Sequence, residues 1–118
     1  MGYMSVTKKD VTVMRRKENE MKKFAAWYAI NPNFGYGDRP VLGTLKETHR
    51  KVKVLWAEDL DNVFYKMQGE VWSPNGEVSD LIRLLGLKHT SMSVGDVVQE
   101  VSTGKYFLVE NLGFSELE

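Results

Sequence analysis

The period of hydrophobic and polar positions changes along this chain, and each change marks an element. Arg50 to Trp56 alternates polar with apolar, which predicts a half-buried strand over about residues 50–57 with Val52, Val54 and Trp56 on one face. Residues 96–101 and 105–110 read as two more strands, joined through the hairpin turn Ser102-Thr103-Gly104. Phe24 to Ile30 is too short and too aromatic for its period to separate strand from buried helix. The aromatics and the abrupt stop at Asn31-Pro32-Asn33 assign it to a strand over 24–30. Leu60, Val63, Phe64 and Met67 fall at helical spacing behind Asp59 or Asp61 as cap, predicting a helix over 59–68 that Gly69 ends with a positive φ. Val78, Leu81, Ile82 and Leu85 repeat that spacing, so a second helix over 74–85 opens at Ser73-Pro74 and stops at Gly86.

The rest of the pattern is less regular. Met1–Lys9 reads as a loosely held lead, with little to bury. Val11, Val13 and Met14 suit the start of a strand, yet the opposed charges of Met14–Lys23 favour a short helix. Asn31–Gly43 is a loop by its Gly, Pro, Asn and Asp content, with Phe34 and Tyr36 as its apolar anchors. Thr44 and Glu47 have the spacing of a capping box for one or two helical turns. After residue 110 the chain leaves the sheet, Phe114 tucks under it, and Ser115–Glu118 is a free tail. The expected fold is α+β: one domain, 1–118, with a small antiparallel sheet of about four strands and two short helices packed on one face. The exposed sheet edges leave room for a homodimer.

Composition removes several function classes. With 118 residues, 42% of them hydrophobic, the chain suits a single core. It has no cysteine, so disulfides, thiolate zinc sites and cysteine nucleophiles are excluded. No apolar run approaches a membrane span and the N-terminus lacks a signal-peptide centre, so the expectation is an intracellular, non-membrane protein. The net charge is zero, which argues against holding duplex DNA by charge alone. Its distribution is uneven, however: residues 1–53 hold 12 Lys/Arg against 5 Asp/Glu, and residues 54–118 hold 4 against 11. That asymmetry makes a basic face for nucleic acid or an acidic partner, unless the two halves intermix their charges at the surface.

The unusual residue choices concentrate between Phe64 and Asp96. Phe64-Tyr65-Lys66-Met67-Gln68-Gly69-Glu70 with Trp72-Ser73-Pro74-Asn75-Gly76-Glu77, then His89-Thr90-Ser91-Met92-Ser93-Val94-Gly95-Asp96-Val97, then Gly113-Phe114, resembles a family of small uncharacterised proteins of tailed bacteriophages, notably of the marine cyanophage type. The resemblance covers roughly Asn31 to Leu117 and implies no activity. It implies a phage accessory protein working in the cytoplasm of an infected bacterium.

Several constellations carry candidate chemistry. His89, Thr90, Ser91, Ser93 and Asp96 supply the residue types of base, nucleophile and orienter, but no nucleophile elbow surrounds either serine. A loop whose hydroxyls satisfy backbone groups explains the same run. Trp72 in its Ser-Pro-Asn-Gly turn is either a stacking platform, with Asn75 offering amide hydrogen bonds, or a seal between the two helices. Convergence of Gln68, Trp72 and His89 would favour a binding cleft. His49 and His89 are the only histidines and lack metal-ligand spacing, so neither a metal nor a cofactor is implied. Arg50, Lys51 and Lys53, with the lysines and arginines of the first 23 residues and Trp27, Tyr28 and Tyr36, could track phosphates. The sequence reading is therefore a non-enzymatic binding module for a host protein or nucleic acid, using Gln68, Trp72, Asn75, His89, Thr90, Ser91, Ser93 and Asp96. The alternatives are a small hydrolase or nuclease using His89 with Asp96 or Glu70, and a structural oligomer.

Overall fold

The structure, a computed structural model, describes residues 21–118. The lead at Met1–Lys9 and most of the Met14–Lys23 segment lie outside the described residues; at Lys22 and Lys23 the backbone is already strand. Strand β1 (Lys22–Ala29) is followed by a 3-10 turn (Leu42–Thr44), the one-turn helix α1 (Leu45–Thr48) and strand β2 (His49–Ala57). Three short helices come next, α2 (Leu60–Lys66), α3 (Gly69–Trp72) and α4 (Ser79–Leu84), and then β3 (Val97–Glu100), β4 (Lys105–Glu110) and β5 (Gly113–Leu117). All pairings are antiparallel, in the order β2-β1-β3-β4-β5. The fold is α+β as expected, with five strands rather than about four.

Every side chain of β1 after Lys23 is buried, because β1 is flanked by strands on both edges and covered on both faces. Phe24, Ala26 and Tyr28 point to one face, where Val63, Met67, Ile82, Leu87 and Met92 of the helical segment close over them. Ala25 and Trp27 point to the other, with Leu45, Val97, Leu108 and Leu117. Asp59 caps α2 by accepting the Asn62 amide at 2.8 Å, which leaves Asp61 in the first turn.

Six expectations are corrected. Val52, Val54 and Trp56 do not share a face: Ala26 pairs with Lys53 but Trp27 pairs with Lys51, so Val52 is the extra residue of a β-bulge. The bulge keeps Val52 in register with buried Leu55 and Ala57 and sends Val54 and Trp56 to the opposite face, where they are exposed. The tail is not free, since residues 113–117 pair with β4 and Leu117 is buried. Gly69 does not end a helix with positive φ; it begins α3, and a Cβ there would sit 3.0 Å from Ser91 Oγ. The second helix is shorter than 74–85: Ser73 Oγ accepts the Val78 amide at 3.0 Å and holds a turn, and α4 starts at Ser79. In the loop before α1, Phe34 and Tyr36 are exposed rather than anchoring, and Thr44 makes no side-chain cap.

Candidate functional site

Seven of the eight residues singled out in sequence meet in space, and they meet through hydrogen bonds to one another and to the backbone. The chain after α4 passes back under α2 and α3, and Met92 N donates to Met67 O at 3.1 Å. This contact aligns the Thr90–Ser93 segment with Gln68 and Gly69. Gln68 Nε2 donates to Phe64 O at 3.0 Å and Met92 O at 3.2 Å. Ser91 Oγ accepts the Gly69 amide at 2.7 Å, and Ser93 Oγ donates to Ser91 O at 3.1 Å. Thr90 contributes its carbonyl, which accepts Trp72 Nε1 at 3.0 Å and the Tyr28 hydroxyl at 2.7 Å, so both lone pairs are occupied.

Asp96 is the deepest member, its side chain 1% exposed. Its Oδ1 accepts the Ala29 amide and its Oδ2 the Ser93 amide, each at 2.8 Å. His89 Nε2 approaches the same carboxylate at 2.8 and 3.1 Å, and since both oxygens are acceptors the histidine is the donor. The His89 ring stacks on Tyr28, with centroids 4.7 Å apart and planes 12° from parallel. Burial first, and then the neighbouring Asp96 charge, push the Tyr28 phenol well above its ordinary pKa, so it remains a donor to Thr90 O. Three elements separated in sequence are thus tied: the end of β1, the α2–α3 corner and the loop entering β3.

This arrangement decides what the residues can do chemically. Asp96 orients His89 in the manner of a catalytic pair, but His89 Nδ1, the nitrogen that would act on a substrate, is buried and has no hydrogen-bond partner. Cavities of about 390 Å³ and 270 Å³ lie instead beneath the 31–41 loop, and one of about 500 Å³ between that loop and β5, and none of the eight residues borders any of the three. Asn75 stands apart on the surface in the turn before α4, bonded to Glu77 through its amide N at 2.8 Å. That bond, then one from Glu77's own backbone amide and the Asn75 side chain, hold the exposed Glu77 carboxyl below its usual range. His49 is also internal, its Nε2 donating to Gly95 O and its Nδ1 accepting from Thr48 Oγ1, both at 2.8 Å. Among the described residues, no group of three or more His, Asp or Glu is arranged to hold a metal ion, and no helix is long and apolar enough to cross a membrane.

A second constellation joins Lys23, Lys51 and Trp27, which the sequence offered as phosphate-tracking residues, to Trp56 and Val54, which it did not. On the sheet face opposite α2–α4, Trp56 is 58% exposed and pairs directly with Lys23. Val54 is exposed beside it, and Lys51 lies over the ring of buried Trp27 at 5.6 Å. Strands β1 and β2 carry five Lys/Arg and no carboxylate, whereas β3, β4 and β5 carry three Glu and one Lys. The alternating pattern of β2 was visible, but the bulge that turns Trp56 outward was not. Trp72, by contrast, is half-buried, with Lys53 5.6 Å above its ring. Comparison of the chain with protein-family models, curated proteins and solved structures gives no match.

Proposed function

We propose that this chain is a non-enzymatic binding module whose working surface is the exposed patch of β2 around Trp56 and Val54, beside Lys23 at the start of β1. The observation that carries the reading is an indole 58% exposed on a sheet face, cross-strand from a lysine, on two strands with no acidic residue. An exposed tryptophan beside cations supplies stacking area and charge on a rigid scaffold, which is what recognition requires. The residues first assigned to binding, Gln68, Trp72, His89, Thr90, Ser91, Ser93 and Asp96, then act as the brace that holds this scaffold. The resemblance to tailed-phage proteins supports an accessory role in the cytoplasm of an infected bacterium, on a host partner.

The 2.8 Å approach of His89 to Asp96 favours a second reading, a small hydrolase in which His89 is the base. One set of measurements separates the two. The tryptophan indole signals are followed by NMR while heparin, an acidic peptide or an oligonucleotide is added, and turnover of bis(p-nitrophenyl) phosphate and p-nitrophenyl acetate is assayed in parallel. The binding reading expects saturable movement of the Trp56 signal with at least one of these probes and no turnover that depends on His89. Turnover abolished by His89→Gln in a folded protein would replace it with the hydrolase. Failure of every probe to move Trp56 would also overturn it.

A further inference from the structure

Resting on that reading, we propose that the partner is a single-stranded nucleic acid, with one base stacked on Trp56 and neighbouring phosphates held by Lys23 and Lys51. The surface around Trp56 is a sheet face with Val54 as its exposed apolar neighbour. It offers a flat π-surface between cations, which an unstacked base and its flanking phosphates satisfy together. An acidic peptide would satisfy the lysines but leave the indole without a ring to stack on. A duplex presents its bases only in grooves, into which a helix or a two-stranded ribbon reaches, and the face of a sheet does not.

Charge along β2 also gives the strand a path. Glu58, Asp59 and Asp61 lie just past Trp56, at the C-terminal end of β2, and repel phosphate. In the other direction the next cation on the same face is Lys51, exposed and over the ring of Trp27, whereas Lys53 and Arg50, opposite Ala26 and Tyr28, lie on the helix-covered face. The nucleic acid therefore runs from Trp56 back along β2 towards its N-terminal end. Lys51 and Trp56 are five residues apart, roughly 16 Å of strand, room for a few nucleotides. Lys22 takes no part: it is on the opposite face, where it pairs with Glu100 at 3.6 Å.

The test is fluorescence anisotropy of labelled oligo-dT, oligo-dA and a matching duplex, titrated with the full chain at low and physiological salt. Single strands are expected to bind more tightly than the duplex. Trp56→Ala is expected to weaken single-strand binding roughly ten- to hundredfold, and Trp56→Phe, which keeps a ring, by less. Joint replacement of Lys23 and Lys51 by Ala should flatten the slope of log affinity against log salt by roughly 1.4, for two phosphates released. Tyr65→Ala, an equally exposed aromatic on α2, should leave binding unchanged. Absence of single-strand binding at low salt, or binding indifferent to Trp56→Ala, overturns the proposal. If heparin or the acidic peptide still moves the Trp56 signal when oligonucleotides do not, this inference falls and the binding module stands; if nothing moves it, both fall.

Discussion

Two regions of this protein hold similar residue types in opposite states. Around Asp96, a histidine, a tyrosine, a tryptophan, a glutamine and two serines turn their polar atoms on one another and on buried backbone. Around Trp56, a tryptophan and lysines turn theirs to solvent. The first region lies where the end of β1, the α2–α3 corner and the loop entering β3 converge, a place where backbone amides such as those of Ala29, Gly69 and Ser93 leave regular structure and need acceptors. The second lies on an edge strand, on the face that α2–α4 do not cover. Chemistry-bearing residues therefore report a structural need in one place and a free surface in the other, and the orientation of each polar atom distinguishes them.

Substitutions can break or sharpen this contrast. Asp96→Ala removes the acceptor of two buried amides and of His89, and is expected to cost about 3–5 kcal/mol in urea unfolding. Ser91→Ala, which leaves the Gly69 amide without its acceptor, should cost about 1–2 kcal/mol. Trp72→Phe keeps the ring and loses the bond to Thr90 O, a cost of about 1 kcal/mol with single-strand binding unchanged. Trp56→Ala should shift stability by less than about 0.5 kcal/mol while removing most of the binding. If Trp56→Ala destabilised the fold as Asp96→Ala does, the two regions would not differ in kind.

Alkaline pH probes the brace as well. The folded-state pKa of Tyr28 is raised above its unfolded value of about 10, so its contribution to stability is complete below that pH and is lost as pH rises beyond it. In an absorbance titration, the Tyr28 phenolate should appear above the ordinary tyrosine range and together with the loss of far-UV circular dichroism.

Much of the fold could be read from periodicity. The strands near residues 50–57, 96–101 and 105–110 and the stripe on α2 needed only alternation, helical spacing and turn residues, and that near 24–30 needed its aromatic content and the stop at Asn31-Pro32-Asn33. The fifth strand was hidden because Gly113-Phe114-Ser115-Glu116-Leu117 has little β-branched content; its burial comes from pairing with β4, a tertiary effect. The bulge at Val52 was hidden because one extra residue leaves the local alternation intact and changes only its phase against β1. In the candidate site, the sequence left two readings open for Trp72 and the His89–Asp96 run, a binding cleft or groups that satisfy buried backbone, and could not choose between them. The contacts of Gln68, Trp72 and His89 run inward to the carbonyls of Phe64, Thr90 and Met92 and to Asp96, and nothing in a residue's identity says which way its polar atom faces.

The most direct measurement follows the three tryptophan indole N–H signals in a proton–nitrogen NMR titration with oligo-dT. Trp72 donates to Thr90 O in the brace, Trp56 is the exposed ring of the proposed surface, and Trp27, which donates to Gln99 Oε1, lies on the Trp56 face beneath Lys51. Saturable movement of the Trp56 signal, with that of Trp72 nearly fixed, is the predicted result. Movement of Trp72 with Trp56 unchanged would contradict the account and return the binding surface to the Gln68–Asp96 region.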